Sequence, residues 1–130
     1  KKYKKVKNLN FFEFDINNEF NFPKIVKKNK ILYARFFLHS LKDVEIKKFV
    51  TLSKKILNSK EKIFLEYRSI NDKTKKKVFK GHYRNFLKSS TIKKIFEQKS
   101  FKLIYNIQGK GFAKFKNEDA FVVRQIFEKK

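Results

Sequence analysis

Two short segments of this sequence carry residue types that could bind a polar substrate or move a proton. The first covers residues 35–39 and the second covers residues 66–84. Each interrupts or follows an apolar run that is typical of a buried strand. Side chains at the carboxyl ends of parallel strands converge on one crevice, so we expect the two segments to form a single site.

In the first segment we predict catalytic roles for Arg35 and His39. An imidazole titrates near neutral pH and could act as a general base that deprotonates an acceptor. Structural roles are the alternative. Arg35 could form an ion pair with Glu66 or Asp15, and His39 could cap or pack against the helix that follows it.

In the second segment we predict substrate-binding roles for five residues, which are Glu66, Arg68, His82, Tyr83 and Arg84. Glu66 and Arg68 are two positions apart and therefore point to the same side of a strand. They could hold a polar substrate jointly, or they could pair with each other, because an unpaired charge is costly to bury.

The charge of the chain is strongly positive, at +23 over 130 residues. Only four of the 35 basic residues are arginine, and the lysines are spread along the whole chain. We therefore interpret the charge as a solvated surface set by composition, in which the few arginines mark positions where lysine does not suffice. The alternative is a nucleic-acid-binding module that uses lysine for phosphates and Phe or Tyr for stacking.

Several other classes are excluded by composition. Hydrophobic residues make up 41% of the chain, which rules out a disordered basic tail, and the absence of cysteine rules out disulfides and thiolate chemistry. No apolar run approaches the about 20 residues that span a bilayer, and the first residues do not form a signal peptide, so we expect a cytoplasmic protein. Two histidines in separate segments do not make a zinc site, and we expect no metal.

The pattern of apolar residues predicts an α/β fold. We expect strands at residues 9–14, 30–38, 62–68, 101–108 and 112–115, and helices at 43–58, after 89–90 and at 117–127. This order favours a mainly parallel sheet with a terminal antiparallel hairpin, flanked by helices. The near-continuous apolar run at 30–38 indicates a strand that is buried on both faces.

The order and three groups of short motifs resemble the carboxyl-terminal part of a class I S-adenosylmethionine-dependent methyltransferase. Tyr-Ala-Arg-Phe-Phe-Leu-His at 33–39 is similar to the family's fourth strand. Leu-Glu-Tyr-Arg at 65–68, Asp72 and His-Tyr-Arg at 82–84 are similar to its fifth strand and the next loop. Gly-Lys-Gly-Phe-Ala at 109–113, with Glu118, Asp119 and Arg124, is similar to its closing hairpin and helix.

This resemblance implies a partial Rossmann-like, methyltransferase-type sheet and S-adenosylmethionine as the cofactor. It implies that Asp15 lies near the adenine, although Asp15 could equally cap the turn that follows it. It also implies that Arg35 and His39 lie near the reacting methyl group and its acceptor, which is a small molecule or a polymer.

The sequence departs from the family in one important respect. The family's glycine-rich cofactor loop and its ribose-binding acidic residue are both missing, and no glycine precedes Gly81. With no methionine at the start either, residues 1–130 are expected to be a single truncated domain. We expect this chain alone to bind S-adenosylmethionine weakly or not at all, and an inactive structural fragment is a further alternative.

Truncation would also affect assembly. In the family the fourth strand lies beside the first, so the strand around residues 31–37 would be left at an edge. A long apolar edge invites pairing, and we expect a homodimer, which sedimentation at moderate salt would detect.

Overall fold

The computed structural model of the chain describes residues 9–18, 25–72, 81 and 83–130. Its elements in chain order are β1 (Ile31–Arg35), α1 (Asp43–Ile56), β2 (Lys62–Arg68), α2 (Ser89–Glu97), β3 (Phe101–Gly109), β4 (Lys114–Phe115), β5 (Glu118–Asp119) and β6 (Val122–Lys129). Short 3-10 turns follow β1 and β2, at Leu38–Ser40 and Ile70–Asp72. Within the described ranges, no helix is both long and apolar enough to cross a membrane.

The main sheet has four strands in the order β1-β2-β6-β3, and β4 and β5 form a separate two-stranded ribbon. β1 and β2 are parallel, whereas β6 runs antiparallel to both β2 and β3. The expectation of a Rossmann-like, mainly parallel sheet is therefore wrong. In the part of the chain described here, the sheet is mostly antiparallel and has one parallel pair, which α1 connects.

The reason lies in the last segment, which was expected to be a helix and is strand β6. Its residues alternate in environment, with Val123, Gln125 and Phe127 buried and Arg124 and Ile126 half-buried between them. Two adjacent valines and an isoleucine are β-branched residues, which favour a strand. A short apolar run of this kind fits a helix and a strand about equally well by spacing, so the pairing available on both sides decides the outcome.

Two smaller expectations are also wrong. Residues 9–14 form no strand. The 112–115 segment does not pair with β3, since Lys114–Phe115 pairs with Glu118–Asp119 and β3 pairs with β6 instead.

The core lies on one face of the sheet, beneath α1 and α2. Ile46 and Val50 of α1 and Ile92 and Phe96 of α2 are all buried. The buried residues that they meet come from all four strands of the sheet: Ala34, Ile63, Leu65, Tyr67, Phe101, Val123 and Phe127. The expectation that the strand at residues 30–38 is buried on both faces is wrong. Ile31 and Tyr33 of β1 are exposed on the side away from the helices.

The register of β1 and β2 is supported by a carboxylate. Glu61 accepts hydrogen bonds from the backbone N–H groups of Lys30 at 2.9 Å and Asn58 at 2.6 Å. Desolvation opposes its ionisation, but these hydrogen bonds prevail and lower the pKa of Glu61 to about 2. The loop before β1 is thereby joined to the loop before β2.

Three phenylalanines fix the end of the core. Phe96 is fully buried, and its ring stacks on Phe127 at 4.3 Å and meets Phe101 edge-on at 5.3 Å between centroids. These contacts join α2 to β3 and β6.

We predict that Phe96→Ala lowers the free energy of unfolding by about 3–5 kcal/mol, because it leaves a cavity among rings that cannot close over it. Urea denaturation would measure the loss. Phe115→Ala is the control, since Phe115 is 58% exposed and its removal should change stability little. Equal effects of the two substitutions would contradict the packing described here.

Candidate functional site

Near the carboxyl end of β2, two arginines and the carboxylate between them form a row that runs across three strands. Arg35, Glu66 and Arg124 are cross-strand neighbours in register. Glu66 accepts hydrogen bonds from Arg35 Nε at 2.8 Å and from Arg124 Nε at 2.6 Å. Burial opposes ionisation of Glu66, but the two guanidinium hydrogen bonds prevail and hold its pKa below the usual range.

Arg124 has further contacts that hold it in place. Its Nη2 donates to the Phe112 carbonyl oxygen at 2.9 Å, and its guanidinium lies 5.0 Å from the centre of the Phe112 ring. The sequence pattern placed Arg124 within the expected terminal helix and not among the predicted site residues. Arginine is rare in this sequence, and that rarity was the signal that could have placed Arg124 among the site residues.

A second cluster surrounds Arg68, which lies two residues after Glu66 on β2. Arg68 Nη1 pairs with Asp72 at 2.8 Å and also with Glu118. Asp72 is fully buried and also accepts the Phe121 backbone N–H at 3.1 Å. Burial works against the charge of Arg68, yet its hydrogen bonds to the two carboxylates raise its pKa. Glu66 and Arg68 therefore do not pair with each other, and each has partners of its own.

His39 lies beside this cluster, in the turn after β1. Its Nδ1 accepts the Arg68 backbone N–H at 3.2 Å, and its carbonyl accepts the Asn85 N–H at 2.7 Å. Burial, followed by the charges of Arg68 and Arg84, lowers the pKa of His39 to about 4. The ring is neutral at pH 7 with its proton on Nε2, so it offers a hydrogen-bond donor rather than the general base that the sequence suggested.

The other predicted substrate-binding residues lie in the segment before α2. Arg84 is half-buried, and burial together with the charge of Arg68 lowers its pKa. Its guanidinium makes no hydrogen bond or ion pair with any residue of the described ranges. Tyr83 is 55% exposed, and His82 lies outside the described residues.

The turn that carries His39 begins in an unusual backbone conformation. Phe36 has φ of 54°, a left-handed value that bulky residues rarely adopt. Its N–H donates to the Glu66 carbonyl at 2.7 Å, and its ring meets the His39 ring edge-on at 5.7 Å. Strained residues of this kind cluster at functional sites, where the surrounding structure holds them in place.

Asp15 lies apart from these clusters. Its exposed carboxylate accepts the Asn17 backbone N–H at 2.8 Å, which is the turn-capping role considered as its alternative. Asp15 lines a mostly apolar cavity of about 340 Å³ beside α1, together with Leu32 and Phe37.

The structure thus brings Arg35, Glu66, Arg68, His39 and Arg84 to the carboxyl ends of β1 and β2 and leaves Asp15 elsewhere. No group of three His, Asp or Glu side chains within the described ranges could hold a metal ion. No protein-family model matches the sequence, and no curated protein matches it.

We predict that Arg68→Met costs about 3–5 kcal/mol of unfolding free energy, because it takes the guanidinium away from two carboxylates, one of them fully buried. Glu66→Gln should cost less, about 1–3 kcal/mol, since Arg35 and Arg124 are 51% and 42% exposed and can be hydrated. Chemical denaturation of both variants gives the comparison. A larger loss for Glu66→Gln would contradict it.

A second prediction concerns pH. The pKa of His39 falls from 6.5 to about 4 on folding, so between these values the unfolded chain binds more protons. The contribution of His39 is fully present above pH 6.5 and is lost as the pH falls toward 4, by about 1–3 kcal/mol after allowance for solvent screening.

His39→Asn is the matched control, because its side-chain oxygen can accept the Arg68 N–H without titrating. Denaturation at a series of pH values should show that the wild-type chain loses more stability than this variant over that interval. Parallel pH profiles would show that His39 is not buried in its neutral form.

Proposed function

We propose that this chain contributes the substrate side of an S-adenosylmethionine-dependent methyl-transfer site at the carboxyl ends of β1 and β2. The observation that carries the proposal is the meeting of His39, Arg68 and Arg84 beside the strained Phe36. These residues come from three segments of the sequence, and all four belong to motifs that resemble the methyltransferase family.

Each residue has a distinct part in this proposal. Arg84 and the Nε2–H of His39 face an acceptor that carries a polar or anionic group, because both are donors without another described partner for those atoms. Arg68 holds the site rigid through Asp72 and Glu118. Arg35 and Glu66 form a cross-strand ion pair next to this cluster, and the side chain of Arg35 is half exposed.

Catalysis in such a site comes chiefly from positioning. When bound, the cofactor would supply an electrophilic methyl group, and the residues of this chain would hold the acceptor in position. Because His39 is neutral with Nε2 protonated, it suits orienting the acceptor. An acceptor that is nucleophilic without proton removal fits this arrangement best.

The part of the site that was expected to bind the cofactor is less suited to its role than the substrate side. Asp15 directs its carboxylate to its own turn, and the sequence lacks the glycine-rich loop. We therefore propose weak cofactor binding by this chain alone, and a cytoplasmic location in keeping with such an enzyme. The alternatives are a basic nucleic-acid-binding module and an inactive structural fragment.

We predict that S-adenosylmethionine at millimolar concentration shifts backbone amide resonances near residues 36–39 and 83–85, with a dissociation constant weaker than about 100 µM. Adenosine, which lacks the sulfonium and the amino acid, is the control ligand and should shift them less. Two-dimensional NMR titration provides both measurements.

Two outcomes would count against the proposal. Resonance shifts confined to residues outside 36–39 and 83–85 would overturn the methyl-transfer site. Micromolar binding would overturn the weak cofactor affinity expected of this chain.

A further inference from the structure

The face of the sheet opposite the helices carries a row of apolar and aromatic side chains. Tyr33, Phe64, Ile126 and Tyr105 are successive cross-strand partners from β1 through β2 and β6 to β3. Tyr33 is 68% exposed and Tyr105 is 46% exposed. Partners in register lie on the same face, so the four side chains form one continuous line across the sheet.

This row forms the floor of an open trough. A cavity of about 220 Å³ is lined by Tyr33, Phe64, Tyr105 and Ile126, and Glu66 and Arg124 close one side of it. Adjacent strands are about 4.8 Å apart, so three spacings place the two tyrosines about 14 Å from each other. That span accommodates two or three nucleobases of an extended strand.

Positive charge flanks the row on both sides. One neighbouring row holds Arg35 and Arg124 with Glu66 between them. The other holds Lys62 and Lys102, both paired in register with Glu128, which lies 3.4 Å from the Lys62 ammonium group. Each side therefore has two cations and one carboxylate, on a chain whose net charge is +23.

We propose that this face binds a single-stranded nucleic acid, with bases stacked on Tyr33 and Tyr105 and phosphates held by the flanking cations. Aromatic side chains interleaved with basic ones are the usual means of binding such strands without sequence preference. The proposal goes beyond methyl transfer and does not depend on it, since the tyrosines that would stack the bases take no part in the His39 cluster.

Other occupants fit the face less well. A second copy of the chain would bring another +23 charge against this one, which opposes association except where salt screens it. A duplex keeps its bases stacked on one another, so it could use the cations but not the tyrosine rings. A polyanion with free bases uses both.

The test is fluorescence anisotropy with labelled oligothymidylate and oligouridylate of about 12 nucleotides, and with a duplex of the same length. Tyr33→Ala and Tyr105→Ala should each weaken binding of the single strands by about tenfold. The slope of log affinity against log salt should stay unchanged in these variants, because the phosphate contacts remain.

Phe115→Ala is the matched aromatic control. Phe115 is 58% exposed but lies on β4, outside the trough, so its removal should leave the affinity unchanged. Lys62→Ala should instead lower the salt slope by about one. Because the tyrosines are largely exposed, circular dichroism should show that their variants remain folded.

The outcomes separate the possible occupants. Tighter binding of either single strand than of the duplex supports the proposal. Equal binding of the duplex, an unchanged affinity in the double tyrosine variant, or an equal loss in Phe115→Ala would overturn it. Sedimentation showing that the tyrosine variants abolish a dimer while leaving oligonucleotide affinity intact would assign the face to self-association instead.

Discussion

The architecture depends on the pairing of β6 with two neighbours at once. This strand is hydrogen-bonded to β2 on one side and to β3 on the other, and among the described strands it is the one that joins β3 to the sheet. Its inward residues, including the fully buried Phe127, complete the core beneath the helices. Its outward residues place Arg124 against Glu66 and Ile126 within the aromatic row. The row of Arg35, Glu66 and Arg124 and the aromatic row therefore both include a residue of this strand.

The charged side chains at the carboxyl ends of β1 and β2 divide into two kinds. Those with ionic partners, such as Arg68 between Asp72 and Glu118, are held in a single geometry and define the shape of the site. The guanidinium of Arg84 is instead half-buried without such a partner among the described residues. Partial burial and the nearby charge of Arg68 lower the pKa of Arg84, while the carboxylates of Asp72 and Glu118 oppose that shift.

Local pattern was sufficient for part of this structure. The extent of β2, most of α1 and the proximity of residues 35–39 to the end of β2 followed from apolar runs and spacing. The sheet topology did not follow, because the choice between helix and strand at 122–129 depends on pairing with segments far away in sequence. The Arg35–Glu66 ion pair was foreseen as an alternative, but the same limit concealed Arg124 as the second partner of Glu66 and the exposed face of β1. The lowered pKa of His39 was equally hidden, since its main cause is burial in the folded chain.

The central position of β6 also has a consequence for how the chain folds. Its partners in β2 are 54 residues away at the Arg68–Val122 pair and 66 at the Lys62–Glu128 pair. Contacts between such distant segments require closure of long loops before any stabilisation is gained, which slows folding. The β1-α1-β2 unit has nearer contacts and can form early, with the edge of β2 unpaired until β6 arrives. An exposed strand edge with apolar side chains can pair with other chains, so we expect the yield of native protein to fall as the chain concentration during folding rises.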